Sequence, residues 1–110
     1  MALPHALPLE TIDVRPLGSA LKDGVTTSLL KTRHLQLMRP VLPAGRTVPE
    51  HQVAGPITVH CLEGEPMLTT PSRTCRLEAG RLVMLEGGEP HGLKALSDAS
   101  LLVTLVLKPA

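Results

Sequence analysis

The chain has no Phe, Tyr or Trp among its 110 residues. Binders of single-stranded nucleic acid stack bases on aromatic side chains inside basic grooves, and a formal net charge of +1 supplies no such groove. Nucleic acid is therefore not an expected partner. Without flat rings the core must come from Leu, Val, Ile, Ala and Met, which interdigitate to ordinary interior density. Long apolar runs are also missing, and none reaches the ~18 residues of a membrane helix. The opening stretch from Met1 to Glu10 is broken by prolines and lacks the basic region of a secretory signal. These features predict a soluble cytoplasmic protein with no membrane partner. Cys61 and Cys75 are the only cysteines and form no C-x-x-C pair, so a cysteine zinc site or thiol redox role has little support. They read as small buried apolar residues of a reducing compartment rather than as a disulfide. A nucleophile elbow, a phosphate-binding glycine loop and a dinucleotide fingerprint are all lacking.

Proline and glycine, by contrast, are plentiful, with eleven and nine copies. They punctuate the chain about every ten residues, between short stretches in which apolar and polar residues alternate. That pattern predicts an antiparallel β sandwich or barrel. Arg33–Arg39 alternates and stops at Pro40, and Ile57–Leu62 forms a second strand closed by the turn Glu63–Pro66. Met67–Thr70 and Arg73–Leu77 read as a hairpin, and Leu82–Leu85 as a short buried strand. His91–Ala95 and Leu101–Leu107 are expected to pair across Ser97–Ser100. Glu63 and Glu65 flank a tight turn and are expected to be exposed. Helix is limited to one turn at residues 17–22. The length supports one domain spanning 1–110. Residues 1–20 form an extended arm that either packs along the barrel or crosses to a partner subunit. Leu3, Leu7, Leu9 and Ile12 give that arm apolar surface in need of cover.

Two glycine-bracketed histidine segments carry the chemistry. Gly45 precedes His51 by five intervening residues, and twelve separate His51 from Gly64. Ten separate Gly80 from His91, with Gly88 between them. This spacing resembles the two signature motifs of the cupin superfamily, the RmlC-like cupins, across about residues 33–107. The resemblance implies an all-β, cupin-type antiparallel β-barrel, a double-stranded β-helix or jelly roll, with little or no helix. It also implies histidines pointing into the barrel mouth, where a divalent transition metal or a small molecule sits.

In the family pattern the first motif supplies His-x-His and then Glu, and the second supplies one more His. Carried over, His51 takes the first histidine position and His91 the position in the second motif. Val53 and Ile57 stand where the second histidine and the glutamate would be, Glu86 replaces a proline, and Ala95 replaces an asparagine. His60 would complete a three-histidine site with open positions for water or substrate, suited to Zn, Fe, Ni, Cu or Mn. Strict alternation from Ile57 turns His60 outward, whereas a bulge at Gly55-Pro56 would turn it in. Val53, Ile57, Val59 and Met84 are the expected apolar walls, with Arg46 or Arg81 able to steer an anion at the rim. His5 and His34 match neither motif and are expected to be solvated.

Three functional readings follow. The first is a homodimeric cupin holding a metal through His51, His91 and His60, with dioxygenase-like or isomerase-like activity implied by the resemblance. The second is a non-catalytic module that binds or senses a small molecule and has lost the standard metal site. The third is an assembly role in which the N-terminal arm is swapped between subunits.

Overall fold

In the computed structural model, which describes residues 5–107, the chain alternates short strands with tight turns. The strands are β1 (Thr27–Lys31), β2 (Leu35–Arg39), β3 (Val41–Leu42), β4 (Thr47–His51), β5 (Ile57–Glu63), β6 (Pro66–Thr69), β7 (Thr74–Arg76), β8 (Leu82–Leu85), β9 (His91–Ala95) and β10 (Ala99–Val106). They build two antiparallel sheets. One runs β1-β2-β10-β5-β8, with β3 also paired to β10, and the other runs β4-β9-β6-β7. This is the antiparallel all-β architecture that the glycine and proline rhythm predicts, in the jelly-roll form that the resemblance implies. The single helix among the described residues is a 3-10 turn, Gly18–Asp23, at the place expected for one turn. No helix among them is long and apolar enough to cross a membrane.

The core lies between the sheets and joins side chains from both, including Ile57, Val59, Cys61 and Leu101 from one and Leu68, Leu93 and Ala95 from the other. Alternation does the sorting, since every second residue of a strand faces the same way. On β5 the odd-numbered residues Ile57, Val59 and Cys61 are buried while Thr58 and His60 are half-exposed. Both cysteines are free, as expected, with Cys61 in the core and Cys75 half-buried. Burial pushes the Cys61 thiol above its ordinary pKa, so the residue packs as a small apolar group.

One expected pairing does not form. His91–Ala95 and Leu101–Leu107 were expected to make a hairpin, but β9 pairs with β4 and β6 while β10 pairs with β2, β3 and β5. Leu96, Ser97 and Asp98 instead carry the chain from one sheet to the other. The crossing is fixed by side chains that take backbone N–H groups. The Asp98 carboxylate accepts from Ala44 at 2.8 Å and the Ser97 hydroxyl accepts from Glu65 at 3.1 Å. Gly64 sits against this crossing at φ 86°, and a Cβ there would lie 2.2 Å from the Asp98 carbonyl oxygen.

The described part of the N-terminal arm lies along the larger sheet. Ala6 N–H donates to the Leu29 carbonyl at 3.0 Å. The arm is then clamped by Glu63, whose carboxylate accepts the N–H groups of Leu17 at 2.8 Å and Gly18 at 3.0 Å, together with the Ser100 hydroxyl. Glu63 is therefore not the freely exposed turn residue its neighbours suggest, because three donors from two distant segments converge on it. Beneath the arm, buried Arg39 donates from Nη2 to the Arg15 carbonyl at 3.0 Å. Leu7 and Leu9 remain 68% and 102% exposed, Ile12 is half-covered, and Leu3 falls outside the described residues.

Burial alone would raise the Glu63 carboxyl. The hydrogen bonds from Ser100, Leu17 and Gly18, with the Arg39 charge close by, outweigh it and hold the group below its ordinary value. A carboxyl depressed in the folded state stabilises the fold above its unfolded pKa, and that contribution is lost as pH falls through the folded value. Glu63→Gln should therefore be less stable than the parent in urea unfolding at pH 7, and the gap should close on acidification below about pH 4. A second variant probes the crossing. Gly64→Ala should cost more than ~1 kcal/mol, the penalty of a left-handed backbone for a residue with a Cβ, before the clash with Asp98 is added.

Candidate functional site

Strands β4 and β9 lie side by side, and their register sets His51 directly opposite His91. The two imidazoles meet with ring centroids 4.3 Å apart and planes tilted by 57°. The same local device orients each ring. His51 Nδ1 lies 3.1 Å from the carbonyl oxygen of Pro49, and His91 Nδ1 lies 2.9 Å from that of Glu89, in both cases two residues upstream. A carbonyl oxygen only accepts, so each Nδ1 carries the hydrogen. In the neutral ring this leaves the Nε2 lone pair free. The rings differ in setting, with His91 buried at 4% exposure and His51 exposed at the mouth.

Both histidines open onto a cavity of about 500 Å³ between the sheets, within the range of small-molecule sites. Val53, Ile57 and Val59 line it, as the sequence predicts, and so does Arg46 at the rim. Met84 does not. It stands opposite Thr58 on the outer face of the sheet and is 54% exposed, because Ile57 and Val59 pair with Leu85 and Val83, which puts even-numbered residues of β8 outside. Its place in the wall is taken by Met38, Leu93, Val103 and Leu105. The odd-numbered apolar face of the segment 101–107 held the signal for Val103 and Leu105, whereas Met38 stands on the face opposite the alternating Leu35 and Leu37. Arg81 also lies elsewhere, in an exposed ion pair with Glu78 at 3.9 Å.

His60 does not join the pair. Ile57 through Cys61 align with Leu105 through Leu101 in unbroken register, and His60 sits on the outer face between Leu102 and Leu82. Gly55 does not create the bulge that would turn His60 inward. Its missing Cβ lets the end of β10 approach, for a Cβ there would lie 1.9 Å from the Val106 carbonyl oxygen. The irregularity in this pairing falls later, between Ser100 and Leu101.

A catalytic metal centre ordinarily needs three protein donors around the ion. Here the face that carries His51 and His91 continues into Val53 and Ile57, and no three His, Cys, Asp or Glu side chains gather among the described residues. Two imidazoles in an aliphatic wall fall one donor short of that set. A larger groove of about 990 Å³ runs under the arm, but it contains neither His51 nor His91. Its Glu10 and Asp13 already accept hydrogen bonds from Leu7 and Arg15.

Comparison with known proteins agrees with this architecture. The family model described as Cupin domain matches residues 39–107. A conserved Streptococcus pyogenes protein of unknown function is 22% identical, with all of both chains covered and a TM-score of 0.76. A cupin superfamily protein from Desulfitobacterium hafniense is 17% identical over 88% of this chain and 94% of its own, also at 0.76. Salicylate 1,2-dioxygenase from Pseudoaminobacter salicylatoxidans, solved in complex with gentisate, is 19% identical over 73% of this chain and 22% of its own, with a TM-score of 0.65. No curated protein matches. With two facing sheets, paired histidines at the mouth and a family match over most of its length, the chain belongs to the cupin family.

Proposed function

We propose that this cupin binds a small organic molecule in the cavity between its sheets, with His51 and His91 as its polar contacts and without a catalytic metal centre. The observation that carries this reading is the composition of the face they share. Each Nδ1 is tied to a backbone carbonyl, so both rings offer Nε2, while Val53 and Ile57 present methyl groups where further donors would be needed. Such a surface favours a ligand with an apolar body and one polar end. Methyl-labelled protein titrated with a fragment library in EDTA should show shifts at Val59, Leu93 and Val103. His51→Ala should weaken the strongest fragment about tenfold, the ~1.4 kcal/mol of one good hydrogen bond. A protein that responds only to metal ions would overturn the proposal.

One observation favours a second reading. A histidine whose Nδ1–H is held by a carbonyl is oriented as metal-ligating histidines are. His51 and His91 would then hold a divalent transition ion, Zn, Fe, Ni, Cu or Mn, completed by the ligand itself, with dioxygenase-like or isomerase-like activity on a small organic substrate. Elemental analysis of protein purified without chelator separates the two readings. The second requires close to one equivalent of metal that His51→Ala removes, and the first is supported by less than about a tenth of an equivalent.

The protein is also proposed to work as a cytoplasmic homodimer. The outer face of the larger sheet sets Leu82 and Met84, 61% and 54% exposed, beside Thr58, His60, Leu102 and Thr104 with no formal charge among them. An uncharged aliphatic face of this kind suits a second copy of itself. Leu82→Glu should convert a dimer to a monomer in sizing chromatography with light scattering.

A further inference from the structure

The ionisable side chains that line the cavity are of two kinds, and Arg46 and His51 lie at opposite ends of β4, which bears on the chemistry of the ligand. In the neutral form of the rings, His51 and His91 present Nε2 as an acceptor to the cavity, because the Nδ1 hydrogens are given to the carbonyls of Pro49 and Glu89. Arg46, at the turn that leads into β4, is the only formally charged residue lining this cavity among the described residues. Its guanidinium has no carboxylate partner, for the ion pairs among the described residues belong to Arg15 and Arg81. The rest of the wall is apolar apart from Thr26, whose hydroxyl is engaged with the Val41 backbone.

We infer that the ligand is a hydroxy acid with an apolar body, its hydroxyl donating to the histidine pair and its carboxylate meeting Arg46. This rests on the proposed small-molecule reading of the same cavity and specifies it further. A carboxylate turned toward the imidazoles would face two lone pairs, whereas at Arg46 it gains a charge-assisted and potentially bidentate contact. A hydroxyl fits the reverse requirement, since it supplies the hydrogen that the Nε2 atoms lack. Amines match the histidines but are repelled at the rim, and diols leave the guanidinium unpaired. Arg46 is thus the specificity-determining residue for the anionic end.

The test titrates methyl-labelled protein, in EDTA, with ω-hydroxyalkanoates of four, six and eight carbons, each beside the alkanoate, diol and amino alcohol of the same length. In the parent, the best hydroxy acid should bind at least tenfold more tightly than its diol and its alkanoate. Arg46→Gln should erase the preference over the diol by weakening hydroxy-acid binding more than diol binding. His51→Ala should erase the preference over the alkanoate by weakening hydroxy-acid binding more than alkanoate binding. Arg46→Lys should restore part of the first preference. If diols or alkanoates bind at the cavity methyls as well as hydroxy acids do, or if the preference over diols survives in Arg46→Gln, the hydroxy-acid inference falls and the cavity reading stands. If none of these compounds, nor any library fragment, moves the cavity methyls, both fall.

Discussion

The unbroken pairing of Ile57 through Cys61 with Leu105 through Leu101 is the constraint on which the rest of the molecule depends. Because a strand repeats every two residues, that one register decides which side chains are core and which are surface across three neighbouring strands at once. It sends Ile57 and Val59 into the cavity, His60 and Thr58 out, and through the pairing with β8 it sends Val83 in and Met84 out. A slip of one residue would put an imidazole among the methyl groups and expose the centre of the core. Gly55 protects the register, since only a residue without a side chain lets the end of β10 lie so close to the start of β5.

The histidine pair follows from a different contact, the alignment of β4 with β9. Here the chain uses proline rather than glycine. Pro49 and Pro90 precede the two histidines, and extended backbone around each brings the ring Nδ1 back to a carbonyl two residues upstream. Both rings are therefore oriented by main-chain atoms close to them in sequence, whatever occupies the cavity. Such preorganisation means that a ligand need not spend binding free energy fixing the imidazoles.

Where the sequence was legible, it was because a local pattern and a tertiary contact agreed. The strands at 35–39, 57–63 and 82–85 alternate or carry compact apolar runs bounded by turn residues, and all three form. The spacing from Gly45 to His51 and from Gly80 to His91 located the pair on facing positions. Other elements gave no such agreement. Strand β1, Thr27–Lys31, has two adjacent leucines and no alternation, and β4 contains Pro49, which cannot donate to a ladder. Both strands are held by their neighbours more than by their own residues. The sheet change between β9 and β10 depends on Asp98 and Ser97 capping backbone N–H groups fifty-four and thirty-two positions away. Glu63 was misread for the same reason, since its partners Leu17 and Gly18 come from the far end of the chain. For His60 the sequence left two courses open, and the unbroken register of β5 follows the strict alternation rather than the bulge, while the same register puts Met84 outside the wall expected of it.

A barrel built wholly from aliphatic side chains is also optically silent. With no indole or phenol anywhere in the chain, the protein contributes almost nothing to absorption, dichroism or emission in the near ultraviolet. Any ring-bearing guest would appear there against an empty background. The only rings that can shift the methyl resonances are the five imidazoles, and of these His51 and His91 line the cavity. A displaced signal from a methyl that lines the cavity therefore reports on the imidazole pair or on an incoming aromatic molecule.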